Sequence, residues 1–116
     1  MTQLPTQAGA GRRKVLQNEL RRITDSLKRD RNVEKVFLFG SMASEEVTEW
    51  SDLDLVIIKR TAKIFLNRIK EMILLFKPRV GVDFFVYTPS EWRRMQETGS
   101  FFCREVVNKG VVLYER

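Results

Sequence analysis

A chain of 116 residues with 43% apolar side chains is long enough for one compact domain and too apolar for a disordered one. Its 21 lysines and arginines against 15 aspartates and glutamates give a net charge of +6, which suits phosphates, nucleic acid or an acidic protein partner. The lack of histidine excludes imidazole bases and the usual zinc sites, leaving oxygen-ligated magnesium or manganese, and a single cysteine excludes an internal disulfide.

Residues 1–11, MTQLPTQAGAG, have no signal-peptide core and read as a flexible leader, with 12–116 as a single domain. Every apolar run is too short to cross a bilayer, so the expected location is cytoplasmic with no membrane partner. Leu16, Leu20, Ile23 and Leu27 form one helical stripe and predict a helix over 12–30. Much of the basic excess lies on this segment. Charge runs without interleaved aromatics ordinarily form a solvated helix face and are a weak signal for a nucleic-acid partner.

The β-branched and aromatic run VEKVFLF predicts a buried strand over Val33–Phe39, ended by Gly40. A turn with a short helix and a loop follows, and DLDLVII is a second strand. Thr61 is placed to cap a helix running to about Phe76, with the stripe Phe65, Ile69, Met72 and Phe76. Pro78 breaks it, and VGVDFFVY is a third strand. Ser90 is the expected cap of a helix over EWRRMQ, interrupted at Gly99. SFFCREVVNKG is a last helix closed by Gly110, and VVLYE a last strand. The fold class is α/β or α+β, with a sheet of about four strands and helices packed on it.

The chemistry concentrates in LFGSMASEEVTEWSDLDLVII, residues 38–58. Alternation along a strand puts Asp52 and Asp54 on one face, roughly 6–7 Å apart at Cα, two strand rises. Two like charges so placed repel unless a divalent cation sits between them. Asp83, in the middle of an apolar strand with no local charge partner, can join them if the second and third strands are neighbours. Three carboxylates suit one or two magnesium ions bridging a nucleoside triphosphate and an attacking hydroxyl. Gly40 lets the backbone approach a ligand, Ser41 offers a hydroxyl donor, and the amides behind them can face a phosphate.

With these residues the segment resembles the signature of the DNA polymerase beta-like nucleotidyltransferase superfamily, and the whole of 14–116 is similar to its minimal, MNT-type members. The resemblance implies a mixed sheet with helices on one side. It also implies magnesium-dependent transfer of a nucleoside monophosphate from a triphosphate, such as AMP from ATP, to a hydroxyl. By position, Gly40 and Ser41 would bind the triphosphate. Asp52, Asp54 and Asp83 would hold the metal, and Asp83 would also help deprotonate the acceptor. Small stand-alone members are often paired with a HEPN-type helical toxin, whose tyrosine would be the acceptor, giving an antitoxin role.

Where the family commonly has Gly-Ser-x-Ala-Arg-Gly, this chain has Met42, Ala43, Ser44 and Glu45, without a cation. Lys59, Arg60, Arg79, Arg93 and Arg104 are the candidates to replace it. A second reading, from a different class, is a binding module that neutralises its partner by contact alone, with Trp50 and Trp92 as interface aromatics. A third is transfer to a small molecule or nucleic acid, with a homo-oligomer supplying the acceptor pocket.

Overall fold

The second strand of the sequence is apolar on both of its faces, and such a strand has to lie inside a sheet covered on both sides. The computed structural model, which describes residues 7–44 and 46–116, bears this out. The chain runs α1 (Gln7–Lys28), β1 (Val33–Phe39), α2 (Ser41–Ser44), β2 (Leu53–Lys59), α3 (Phe65–Phe76), β3 (Val82–Tyr87), α4 (Pro89–Glu97), α5 (Phe101–Lys109) and β4 (Val111–Glu115). The sheet order is β3-β2-β1-β4, with β2 and β3 parallel and the other pairs antiparallel. The parallel pair needs a crossover, which α3 provides.

Leu53, Leu55 and Ile57 of β2 join Val36, Leu38, Phe84 and Val86 in a core sealed by Leu16, Ile23 and Leu27 of α1 and Met72 and Phe76 of α3. On the opposite face, Val56 and Ile58 join Phe37 beneath Trp92 of α4 and Cys103 and Val106 of α5. Helices therefore cover both faces, where the resemblance implied one. The reason is in the strands: Phe37, Val56 and Ile58 would otherwise face water, at about 1.5–3 kcal/mol each. Trp92 belongs to this second core at 6% exposure, so it is not the interface residue the sequence suggested. Trp50 is 83% exposed.

Other local expectations shift as well. The first helix starts at Gln7, inside the segment read as leader; residues 1–6 lie outside the described residues. The N-cap of α3 is Ile64, with no side-chain cap, while Thr61 Oγ1 accepts from the Lys63 amide within the preceding turn. The cap of α4 is Thr88 rather than Ser90. Its side chain accepts from the Glu91 amide, Glu91 returns the bond to the Thr88 amide, and Pro89 opens the helix.

Two charged side chains are buried by tertiary partners. Arg68 of α3 donates to the carbonyls of Lys63 (2.6 Å) and Val86 (3.1 Å) and to Glu91 (2.6 Å). Glu19 of α1 accepts from Arg22 (2.5 Å) and from the Arg79 amide (2.6 Å), which ties α1 to the segment entering β3.

Candidate active site

The strand ends bring the three predicted carboxylates to one end of the sheet. Asp54 pairs in register with Asp83 on the parallel neighbour β3 and with Phe39 on the antiparallel neighbour β1, so the three side chains form one row on the face covered by α4 and α5. Asp52 lies one residue before β2, where the Leu53 amide donates to the Gly81 carbonyl at 3.0 Å. Gly81 has no side chain, and the Asp52 carboxylate fills that space: a Cβ there would lie 2.6 Å from its Cγ.

Burial is the largest influence on Asp54 and raises its pKa from 3.8 to about 6. The charge of Asp83, a hydrogen bond between the two carboxyl groups and the charge of Asp52 push the same way, in that order. The apolar side of this environment includes the aromatic cluster of Phe39, Phe85 and Phe102, with centroids 5.3–5.7 Å apart.

Gly40 forms the floor of the site. Its φ of +75° is the left-handed conformation that favours glycine, and any Cβ would overlap Asp54 Oδ2. The turn it makes leads into α2, a single turn of helix. The Ser41 hydroxyl has no hydrogen-bond partner among the described residues, so it is available as a donor. Met42, the next residue, is turned into the core at 7% exposure.

The acidic pair and Asp52 do not close into a cage. Among the described residues no three His, Cys, Asp or Glu side chains form a group that could hold a metal ion. Asp52 is instead bound to Arg12 of α1, whose Nη2 donates to Oδ1 at 3.1 Å and whose Nε donates to the Ser51 carbonyl at 2.8 Å. Asp54 and Asp83 fit a divalent cation as a facing pair, because their crowding is the kind a cation relieves.

Arg12 escaped the sequence reading. It lies four residues before Leu16, so it extends the apolar stripe of α1 by one turn, and a cation on a core-facing stripe needs an acceptor. Of the cations the sequence offered, Lys59 is paired with Asp30 (2.9 Å) and Glu71 (3.1 Å) at the far end of β2. Arg60 is held by the Arg31 carbonyl and Glu34. Arg93 lines a cavity of about 490 Å³ with Lys35, Ile58, Arg60, Trp92 and Arg116, also at that far end. Tyr87, on the same face as Asp83, packs against Phe65, Trp92 and Phe102.

The chain thus presents a four-stranded mixed sheet with two carboxylates facing each other beside a Gly-Ser turn. The profile of the family "Polymerase beta, Nucleotidyltransferase" matches residues 21–116, and the chain belongs to that family. It is a nucleotidyltransferase. Among solved structures it resembles a protein from Sulfolobus solfataricus with a nucleotidyltransferase assignment (TM-score 0.66, 19% identity, 96% of this chain and 90% of that one). It also resembles a chain of a toxin–antitoxin complex solved with AMP-PNP (TM-score 0.53, 16% identity, 85% and 73%). A mutant of the toxin–antitoxin pair MntA-HpeT is similar too (TM-score 0.50, 16% identity, 86% and 72%). At these identities the likeness is one of fold. No curated protein gives a significant match. Among the described residues no helix is long and apolar enough to cross a membrane.

Proposed function

We propose that the chain transfers AMP from ATP, with magnesium, to a hydroxyl of a protein partner, and that the partner is a HEPN-type toxin modified on tyrosine. The observation that carries this reading is the in-register pair Asp54 and Asp83 standing over the side-chain-free floor of Gly40. AMP-PNP in a fold relative supports an adenine nucleotide, and the toxin–antitoxin relatives support a protein acceptor. The partner's contact surface would include Trp50 and the outer side of α3, where Leu66 and Leu74 are 65% and 72% exposed.

In this reading Gly40 and Ser41 receive the triphosphate, with the Ser41 hydroxyl donating to a phosphate oxygen. Asp54 and Asp83, joined by Asp52, would hold magnesium. When bound, the metal neutralises charge on the triphosphate and on the departing pyrophosphate. An Asp83 carboxylate oxygen takes the proton of the acceptor hydroxyl. The acceptor oxygen bonds to the α-phosphorus, the bond from that phosphorus to the bridging oxygen of the β-phosphate breaks, and pyrophosphate leaves with the electron pair.

The test is incubation with ATP labelled at the α-phosphate, magnesium and a HEPN-type partner. Label is expected on the partner. A folded protein that leaves the partner unlabelled, beside an active control transferase, would refute the protein-acceptor reading.

A contact-only binding module is the second reading, favoured by the Arg12–Asp52 ion pair and by the exposed Trp50. Titration with magnesium-ATP separates the two: no binding at millimolar nucleotide supports the contact-only module.

A further inference from the structure

Asp52 and Asp54 differ in their partners. Asp54 faces another carboxylate, whereas Asp52 faces a guanidinium. Arg12 has a second anchor besides Asp52. Its Nε is bonded to the carbonyl of Ser51, a residue only 8% exposed, and its own side chain is 24% exposed. The guanidinium is thus fixed at the strand end by the backbone, with Nη2 left to meet whatever Asp52 does. Asp52 is the freer member, its side chain 52% exposed. A carboxylate held by an anchored cation is a carboxylate a metal has to win.

We propose that Arg12 competes with the divalent cation for Asp52. The first helix thereby sets how readily the third carboxylate joins Asp54 and Asp83. The inference rests on the reading of these three residues as a cation site. Without the ion pair, Asp52 is free to rotate toward Asp54 and Asp83, and a cation meets three carboxylates at no cost in a broken contact. With it, cation binding carries the loss of the Nη2 to Oδ1 bond, and α1 carries a positive charge at the mouth of the site. Arg12 is a positioning residue here, acting through Asp52.

The experiment measures binding of manganese alone, without nucleotide, by the electron paramagnetic resonance signal of the free ion. Wild type, Arg12→Gln, Arg12→Lys and Lys14→Gln are compared. Lys14 lies on the exposed side of α1 and has no contact with Asp52 among the described residues. Lys14→Gln thus removes the same charge from the same helix without touching the pair.

Arg12→Gln is expected to bind manganese about two- to fivefold more tightly than wild type, the range an exposed ion pair covers. Lys14→Gln is expected to match wild type. Arg12→Lys retains the charge without the two-pronged grip and should fall between, and it serves as the test if Arg12→Gln fails to fold. The advantage of Arg12→Gln should shrink as salt screens the pair. Equal or weaker binding by the Arg12 variants, or an equal gain in Lys14→Gln, overturns the competition. If folded wild type and variants alike bind no manganese at millimolar concentration, the cation-site reading itself fails, and the proposal with it.

Discussion

Asp54 of β2 and Asp83 of β3 stand directly opposite each other across a parallel strand pair, on the face roofed by α4 and α5. The fold holds two acids together with no basic side chain bonded to either among the described residues. The consequence is a carboxyl, Asp54, that burial and its neighbour hold at a pKa of about 6 against an ordinary 3.8.

That shift has a sign that can be tested. Because the folded state favours protonated Asp54, the protein is most stable, with respect to this group, below about pH 4. It loses that stability as pH rises toward about 6, and the full cost remains above. In metal-free protein Asp54→Asn should therefore raise stability by about 1 kcal/mol near neutrality, discounted for partial exposure, and by nothing at about pH 4. Denaturant unfolding at the two pH values checks it. Asp52→Asn should not share the gain, since it breaks the pair with Arg12.

Gly40→Ala puts a methyl group onto Asp54 Oδ2 in a left-handed backbone position. The expected cost is about 1–3 kcal/mol of stability, with transfer activity lost at the same time. Gly81→Ala first meets the half-exposed Asp52 side chain, the end of a side chain that can swing away. It should cost less stability while lowering magnesium affinity. Thermal unfolding and magnesium titration of the two variants distinguish them.

Arg68 is buried under β3 and its charge is matched by Glu91. Burial alone would raise the Glu91 pKa, but the bonds from Arg68 and from the Thr88 amide outweigh it, and the pKa lies below its ordinary 4.5. The pair therefore stabilises the fold above about pH 4.5 and is lost as pH falls below it. Glu91→Gln should cost about 1–3 kcal/mol at neutral pH and much less in acid, and Arg68→Ala about 3–5 kcal/mol. Denaturant melts across pH test both.

The two tryptophans should separate cleanly. Trp92→Ala empties a site against Phe37 and Tyr87 and should cost about 3–5 kcal/mol. Trp50→Ala, on the exposed loop before Asp52, should stay within about 0.5 kcal/mol of wild type in the same unfolding measurement. Its effect should fall on partner binding.

Much of this site could be read directly in the chain because strand alternation is a local rule. The spacing of two put Asp52 and Asp54 on one face, and the odd Asp83 in an apolar strand pointed to a neighbour. What escaped was decided by tertiary partners. Thr88 and Ser90 are both good caps by type, and only the reach of Glu91 back to the Thr88 amide selects the first. Trp92 reads as a surface aromatic until Phe37 and Val56 are seen to need a cover. Arg12, Glu19 and Arg68 sit on core-facing helical positions, where the polar character of the residue hid the periodicity and where each acceptor or donor comes from a distant segment. The outward appearance of three convergent acids was also too simple, since Asp52 has a counter-ion the strand pattern does not contain.

The most direct measurement is the rate of nucleotidyl transfer by Asp52→Asn, Asp54→Asn and Asp83→Asn beside wild type, with folding of each verified by circular dichroism. Each exchange removes one negative charge and keeps the shape of the side chain. The expected result is loss of transfer to background in all three, with the fold intact. Transfer at the wild-type rate by folded Asp54→Asn would contradict the assignment of this carboxylate pair as the centre of the reaction.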